Sequence, residues 1–306
     1  MRTIATTALI VGFGLCVTTR QARAQNYYTP CWQRAAQGDA ATTITVADNG
    51  QPMVTGYPQP WIFKLDHWPT APVWTWHPNN LPISAQNLFY TAGNLFVADS
   101  AGDIYTDSGW SGWKGVIGSF NDGCMASMVI LGADAAGNGN EVGISCYGTN
   151  IWTTNVGPSV RPRYQTFSNL PNGLAAIQVA GFHATPGAWN VQQLWALAQD
   201  GSLYGFDGAN WHEQPGWGVT SLTDHYAVGT GGIVYQWHDE IPDFLPNQAF
   251  HGNWLPSIWT TTTPNGIKQI AANLRGDLWA SDKVSEGIYF AGWCNSHSFT
   301  TFTQMK

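Results

Sequence analysis

The run Leu194-Trp195-Ala196-Leu197-Ala198-Gln199-Asp200-Gly201-Ser202-Leu203-Tyr204 decides the fold class, because two apolar segments flank an Asp-Gly pair in it. Asp-Gly accepts the positive φ angles of a two-residue hairpin turn, and the flanking residues alternate between apolar and small side chains. Gly231 and Gly232 form a second such pair, between Tyr226 and Tyr235. Both stretches therefore predict β-hairpins.

The same turn recurs along the chain as an apolar segment, a Gly, a few residues and then an aromatic or apolar side chain. Its glycines are Gly50, Gly102, Gly148, Gly201, Gly232 and Gly287, on average about 47 residues apart. Repeats of about 40 to 50 residues made of short strands are typical of β-propeller blades. We therefore predict an all-β fold, a six-bladed β-propeller closed near the chain termini, with five or seven blades as alternatives.

Glycine and proline argue against helices, since the 34 Gly and 17 Pro interrupt every window long enough for a helical apolar pattern. One position of each repeat is always apolar, and we predict that it lies on a middle strand and fills the space between blades. Its residues are Ile44, Phe96, Val142, Trp195, Tyr226 and Trp279.

The first 24 residues have the composition of a secretory signal. Arg2 precedes an apolar stretch, and Ala22-Arg23-Ala24 offers the small-x-small pattern that signal peptidase needs. We expect residues 1–24 to be a signal peptide, residues 25–306 to be a single propeller domain, and the protein to be secreted or periplasmic. No other segment is expected to insert into a membrane.

Charge restricts the class of partner. Without Arg2, Arg20 and Arg23 the chain keeps nine basic and 19 acidic residues, a net charge of about −10. This field repels nucleic acid and anionic lipid, and no basic cluster opposes it. A surface built from Asn, Gln, Thr, Ser and Gly favours a neutral partner rich in hydroxyl groups, although it also occurs in secreted all-β proteins that bind no sugar.

Four cysteines remain after removal of the signal peptide, and an even number in an exported protein indicates disulfides. Cys31 precedes the first repeat and Cys294 follows the last. Because the first and last blades of a closed ring are neighbours, we predict a Cys31–Cys294 bridge, which leaves Cys124 to pair with Cys146.

The segment from Leu194 to Tyr204, the run Gly216-Trp217-Gly218-Val219-Thr220, and the strand pair from Ala227 to Tyr235 resemble tectonin-type repeats. Such repeats form tachylectin-like β-propeller lectins. The match covers the region from Leu194 to Trp237 best and is weaker towards both ends. The resemblance implies a six-bladed propeller that binds glycans.

Tryptophan is several-fold more frequent than usual, with 17 in 306 residues, and its ring can stack on a sugar. Trp195 and Trp279 are expected in the core, and Trp113 and Trp211 are expected to be structural. Four others in Gly-, Pro- or polar-rich loops are candidate ligand-binding residues, namely Trp110, Trp217, Trp237 and Trp254. We expect a secreted lectin that recognises surface glycans or a polysaccharide through these loop tryptophans, with multivalent sites. Three aspartates that follow a strand tyrosine are candidates beside them, Asp107, Asp207 and Asp239, although Asp also favours turns by capping its own backbone.

The sequence contains weaker evidence for metal binding, for catalysis and for protein binding. Asp134, Asn138, Asn140 and Glu141 lack the spacing of a calcium loop, and His225 and His238 have no third ligand at a fixed distance, so we expect no metal and no cofactor. A secreted propeller glycoside hydrolase or polysaccharide lyase remains an alternative, because such enzymes draw their carboxylates from different blades. A protein-binding propeller scaffold is the second alternative.

Overall fold

The computed structural model is an all-β ring, and it describes residues between 28 and 295 with gaps. The described ranges are 28–36, 43–55, 61–67, 73–77, 85–108, 110, 112–113, 116–119, 125–131, 136–146, 150–156, 165–181, 194–207, 209–214, 218–223, 225–239, 252–259, 266–273, 275–282 and 287–295. They contain 24 β-strands in six four-stranded sheets and one 3-10 helix at Pro171–Gly173. Within these ranges, no helix is both long and apolar enough to cross a membrane.

The first strand, β1 (Tyr28–Ala36), belongs to the last blade, and every other blade uses four consecutive strands. Blade 1 contains β2 (Ile44–Val46), β3 (Pro52–Thr55), β4 (Ile62–Asp66) and β5 (Val73–Trp76). Blade 2 contains β6 (Ala85–Thr91), β7 (Asn94–Asp99), β8 (Asp103–Ser108) and β9 (Val116–Ser119). Blade 3 contains β10 (Met125–Leu131), β11 (Gly139–Ser145), β12 (Ile151–Val156) and β13 (Gln165–Thr166).

The remaining three blades follow the same plan, with the first strand of each nearest the axis. Blade 4 contains β14 (Ala176–Gly181), β15 (Leu194–Ala198), β16 (Leu203–Phe206) and β17 (Trp211–Glu213). Blade 5 contains β18 (Ser221–Leu222), β19 (Tyr226–Val228), β20 (Val234–Asp239) and β21 (Gly252–Pro256). Blade 6 contains β22 (Ile267–Ala272), β23 (Leu278–Asp282), β24 (Ile288–Asn295) and, as its outermost strand, β1.

The prediction of six blades closed near the chain termini is confirmed. β1 pairs antiparallel with β24, so a segment that the sequence indicated only as a leader completes the last sheet. In that ladder Thr29 is paired with Cys294 and Cys31 with Gly292, which places the two cysteines one diagonal step apart. The Cys31–Cys294 and Cys124–Cys146 bridges stay predictions, since Cys124 and the side chain of Cys294 lie outside the described residues.

The hairpin predictions are also confirmed. Gly201 lies between β15 and β16 with φ of 87°, and Gly231 and Gly232 lie between β19 and β20 with φ of 84° and 77°. A left-handed backbone of this kind favours glycine, which is why the turn signal in the sequence was reliable here.

The hydrophobic core lies between blades, in six clusters that each join two consecutive blades. The predicted apolar position is buried in every repeat, and Trp195 and Trp279 are core residues as expected. One assignment is wrong: Ile44 lies on β2, the innermost strand of its blade, whereas the other five residues lie on second strands. The Gly50 turn, which resembles the other turns, closes the first hairpin of blade 1 and not the second.

A ring of polar side chains on the innermost strands links every blade to the next. We call Thr45, Asn87, Ser127, Gln178, Ser221 and Gln269 the axial polar ring. Their bonds across the six interfaces are Tyr90 N–H to Thr45 Oγ1 (3.1 Å), Asn87 Nδ2–H to the Met125 carbonyl, Val179 N–H to Ser127 Oγ (3.1 Å), Gln178 Nε2–H to the Leu222 carbonyl (2.7 Å), Ile270 N–H to Ser221 Oγ (3.1 Å) and Ile44 N–H to Gln269 Oε1 (3.2 Å). These bonds satisfy backbone groups on strand edges that have no neighbouring strand.

Candidate functional site

The axis of the ring holds a cavity of about 60 Å³, lined by the innermost strands of all six blades. That volume accommodates a few water molecules and is well below the 300 Å³ or more of a typical ligand pocket. Much of its polar lining is already engaged in the axial polar ring. A sugar-sized ligand therefore needs another site.

Two of the candidate tryptophans do not lie in loops, and that placement was wrong. Trp237 on β20 is paired with Trp254 on β21, and the two side chains are only 6% and 8% exposed. Both rings pack edge-on against Trp195, at centroid distances of 4.9 and 5.1 Å. A ring buried this far offers too little face for a ligand, so we assign these residues to the core of the interface between blades 4 and 5.

Asp207 acts as a turn cap. It follows β16, and its Oδ1 accepts hydrogen bonds from Ala209 N–H (2.7 Å) and Asn210 N–H (2.6 Å), while Oδ2 lies 2.6 Å from His212 Nε2. The bond from Asn210, with help from His212, lowers the pKa of Asp207 to about 2. The local role that Asp commonly takes in turns is therefore the one observed.

Asp107 lies one position earlier in its blade, inside the last part of β8, and is 1% exposed. Its Oδ1 accepts a hydrogen bond from Gly112 N–H (3.1 Å), and its Oδ2 lies 3.0 Å from Nε2 of the buried His77. His77 follows β5 and so comes from the neighbouring blade 1. Asp107 thus joins blades 1 and 2, and its burial prevents it from binding ligand hydroxyl groups directly.

An aromatic cluster surrounds this buried pair at the outer edge of blades 1 and 2. We define the rim site as Trp61, Trp76, His77, Trp110 and Trp113. His77 stacks on Trp113, with ring centroids 4.4 Å apart and an interplanar angle of 21°, and it contacts Trp110 at 4.8 Å. The sequence-predicted Trp110 and Asp107 are therefore brought together, with His77 between them.

Trp76 is the exposed member of the rim site, at 54%. It ends β5, the outermost strand of its blade, and its ring makes an edge-to-face contact with that of Trp61, with a centroid distance of 5.1 Å and an angle of 66°. Trp110 Nε1–H donates a hydrogen bond of 3.3 Å to the Trp76 carbonyl. An indole that is largely exposed to solvent is thus held by neighbours at its ring and at its backbone.

Trp110 has an unusual backbone conformation, with φ of 61°. A bulky residue in the left-handed region is a genuine outlier, and such residues persist where the surroundings fix them. Here the ring is held by His77 on one side and by Lys64 Nζ, 5.0 Å from the ring centroid, on the other. The cost of this conformation is offset by the contacts that Trp110 makes with blade 1.

The charges beside the rim site balance one another. Lys64 Nζ lies 3.5 Å from Asp66 Oδ1, which also accepts a hydrogen bond of 2.7 Å from Gln51 Nε2. Lys64 additionally makes a cation–π contact with Trp110. Lys64, Asp66 and Gln51 therefore offer hydrogen-bonding groups in which the two charges are paired.

The sequence predicted the region of the rim site but not its main residues. The stretch that contains Trp61, Trp76 and His77 holds β4 and β5. The alternation of Trp74 and Trp76 was the signal for a strand with aromatic residues on one face. His77 carried no sequence signal, because its partner Asp107 comes from the next blade.

Two candidate residues cannot be placed: Trp217 and the side chain of Asp239 lie outside the described residues. Across the part of the chain that the structure describes, no group of three or more His, Cys, Asp or Glu residues could hold a metal ion. Trp211 is buried in a core cluster and donates a hydrogen bond of 3.0 Å from Nε1 to the Ser168 carbonyl, as expected for a structural residue.

Comparison with known proteins gave similarity of structure alone, and no protein-family model or curated protein matched the chain. A streptogramin B lyase structure superposes with a TM-score of 0.52 at 10% identity, covering 87% of this chain and 98% of the other. BBS1N in complex with ARL6DN gives 0.53 at 12% identity, with 88% and 98% covered. YCF48 bound to D1 peptide gives 0.48 at 14% identity, with 86% and 79% covered.

At such identities the similarity supports the β-propeller fold and nothing finer. The tectonin-type resemblance is not confirmed by these comparisons.

Proposed function

We propose that this protein binds carbohydrate, with the rim site as the contact surface and Trp76 as the stacking residue. The observation that supports the proposal is an indole that is 54% exposed and yet fixed by Trp61 and Trp110. A pre-positioned Trp face buries a large apolar area with little loss of side-chain entropy, while nearby polar groups satisfy hydroxyls. The pyranose ring presents an apolar C–H face of matching size.

The local charge balance supports a neutral glycan. Lys64 is neutralised by Asp66, and Gln51 adds an amide beside them. A charged ligand would find no unbalanced partner in this group, whereas hydroxyl groups can exchange hydrogen bonds with all three side chains. This arrangement agrees with the low charge content of the whole chain, 10%.

The rim site is a single site in blades 1 and 2. Among the described tryptophans of the other blades, five are buried and three are partly buried, and none is exposed as Trp76 is, so we propose this one site and not repeated equivalent sites. We also retain the proposal of export, which rests on the apolar and basic pattern of residues 1–24, a segment outside the described residues.

The test is binding of the mature protein to a glycan array and to soluble cello-, xylo-, manno- and chito-oligosaccharides, followed by Trp76→Ala. Loss of one stacking contact worth about 1 kcal/mol should weaken binding roughly fivefold with little change in melting temperature. Leu255→Ala is the matched control, because Leu255 is also exposed on an outermost strand but lies in blade 5. A parent protein that binds none of these glycans contradicts the proposal.

A second candidate function is protein binding through β5. This strand is the free edge of its sheet, and it exposes Val73 at 47% together with Trp76. An exposed apolar edge can accept an extended segment of another chain as an added strand. The structural neighbour BBS1N is in complex with ARL6DN, which shows that this fold can serve as a scaffold for a protein partner. Binding to peptides instead of glycans, lost on Val73→Lys, would favour this function.

A further inference from the structure

We propose that the buried His77–Asp107 pair is the positioning element of the rim site, and that it acts through Trp110 on Trp76. This inference deepens the proposed function and rests on it for its biological meaning. Neither His77 nor Asp107 can touch a ligand directly, since both side chains are almost completely buried. Their effect on binding must therefore pass through the residues that they hold.

The first step of the coupling is from Asp107 to Trp110. One carboxylate oxygen of Asp107 accepts the Gly112 N–H at 3.1 Å, which fixes the turn in which Trp110 lies. The other oxygen meets His77, whose ring is wedged between Trp113 and Trp110. Trp110 is thereby constrained from the backbone and from the ring, and it keeps its left-handed φ of 61°.

The second step is from Trp110 to Trp76. The Trp110 indole N–H donates to the Trp76 carbonyl at 3.3 Å and so holds the end of β5. His77, the next residue along the chain, is held by Asp107, and its backbone N–H bonds to the Ile62 carbonyl at 2.8 Å. The peptide that joins Trp76 to His77 is therefore held at both of its polar groups, the Trp76 carbonyl and the His77 N–H. These two bonds fix the end of β5, which carries Trp76.

Blade 4 supplies a matched comparison for this arrangement. Asp207 follows a third strand, β16, caps the turn after it and lies against an imidazole, that of His212. His212 belongs to the same blade and about half of its side chain is exposed, and among the described residues this pair contacts neither another blade nor an exposed tryptophan. A change at Asp207 therefore reproduces the local loss without touching the rim site.

The experiment uses full-length mature protein labelled with 5-fluorotryptophan, with the Trp76 and Trp110 resonances assigned from Trp76→Phe and Trp110→Phe. We expect Asp107→Leu to shift and broaden both resonances and to weaken binding of the best oligosaccharide of the panel roughly fivefold, the equivalent of one stacking contact. Asp207→Leu should leave both resonances and the binding unchanged. A folded Asp107→Leu variant with unshifted resonances, or equal shifts in Asp207→Leu, would overturn the proposal.

Two variants of His77, the other member of the buried pair, test the proposal if Asp107→Leu does not fold. The side-chain amide of His77→Gln retains a hydrogen-bond donor for Asp107, whereas the side chain of His77→Leu does not. The Trp76 resonance should therefore stay at its parent position in the glutamine variant and should shift and broaden in the leucine variant. Indistinguishable spectra of the two variants would refute the positioning role. The fluorine spectra need no ligand, so a parent protein that binds no glycan rejects the proposed function and leaves the positioning test intact.

Discussion

Tryptophan serves two purposes at the scale of single residues in this molecule. Trp195, Trp237 and Trp254 pack edge-on with one another and seal the interface between blades 4 and 5. Trp76, in contrast, turns more than half of its surface to solvent. The distinction depends on which sheet face and which blade interface a side chain meets, not on the residue type.

Replacing a core tryptophan should therefore lower the free energy of unfolding. Trp279 is 0% exposed and packs on Phe290 at 4.9 Å, so Trp279→Ala leaves a large cavity between blades 6 and 1. We expect a loss of about 3 to 5 kcal/mol in the free energy of unfolding, and a similar loss for Trp195→Ala and Trp237→Ala. Denaturant unfolding checks this, with Trp76→Ala as the nearly neutral control. A Trp237→Ala variant as stable as the parent would return that residue to the candidate binding set.

Asp207 gives a prediction about pH. Its folded pKa of about 2 lies below the ordinary pKa of an aspartate, 3.8, so the ionised carboxylate stabilises the fold. This contribution is complete above about pH 4 and is lost as the pH falls towards 2. Titration of the Asp207 carboxyl carbon by NMR should give a midpoint near 2. In parallel, the stability difference between the parent and Asp207→Asn should shrink as the pH falls from about 4 through 2, and a difference that stays constant between pH 5 and pH 2 would contradict this assignment.

At the scale of elements, the innermost strands combine an outward β-bulge with an inward polar residue. The register shifts at Ala85/Asn87, Met125/Ser127, Ala176/Gln178 and Ile267/Gln269, and each time the residue after the bulge belongs to the axial polar ring. The extra residue re-aims the next side chain towards the neighbouring blade. In these four blades the bulge directs the polar residue towards the next sheet, whereas Thr45 and Ser221 make their bonds from strands without a bulge.

Gln178 makes the most complete bridge, and its loss should be measurable. It donates to the Leu222 carbonyl at 2.7 Å and accepts the Leu222 N–H at 2.9 Å. Gln178→Leu leaves both backbone groups without these partners and should lower the free energy of unfolding by about 1 to 3 kcal/mol. Gln199→Leu is the control, since Gln199 is exposed on a hairpin. Equal stability of the two variants would mean that water replaces the bridge.

The sequence predicted the strands and hairpins better than it predicted which residues of different strands and blades contact each other. Hairpins closed by Asp200-Gly201 and Gly231-Gly232 were readable because a left-handed turn demands glycine locally. The sequence shows a polar residue on the innermost strand in runs such as Ile177-Gln178-Val179. It does not predict the hydrogen bond to another blade, because the two partners are far apart in the sequence. Trp237 and Trp254 were misplaced for the same reason, because polar and proline-rich neighbours masked a cross-strand pair.

On the scale of the whole molecule, the chain closes its ring by pairing its two ends. The two strands lie side by side along β1 and β24, so the predicted Cys31–Cys294 bridge would secure the last blade. Peptide mapping without reduction should recover a peptide containing both residues, and Cys31→Ser should lower stability by about 2 to 5 kcal/mol. Recovery of Cys31 joined to Cys124 would contradict the pairing.

The pairing of β1 with β24 also sets the order in which the molecule can be completed. The first strand to leave the ribosome waits for a partner 261 residues further along, as in the contact between Cys31 and Gly292. Blades 1 to 5 can assemble from neighbouring segments, but the sixth depends on the slowest kind of contact, one of very high sequence separation. During that interval β1 and the open edge of blade 6 are both available to another copy of the chain. A higher concentration of chains during folding should therefore favour exchange of β1 between two molecules.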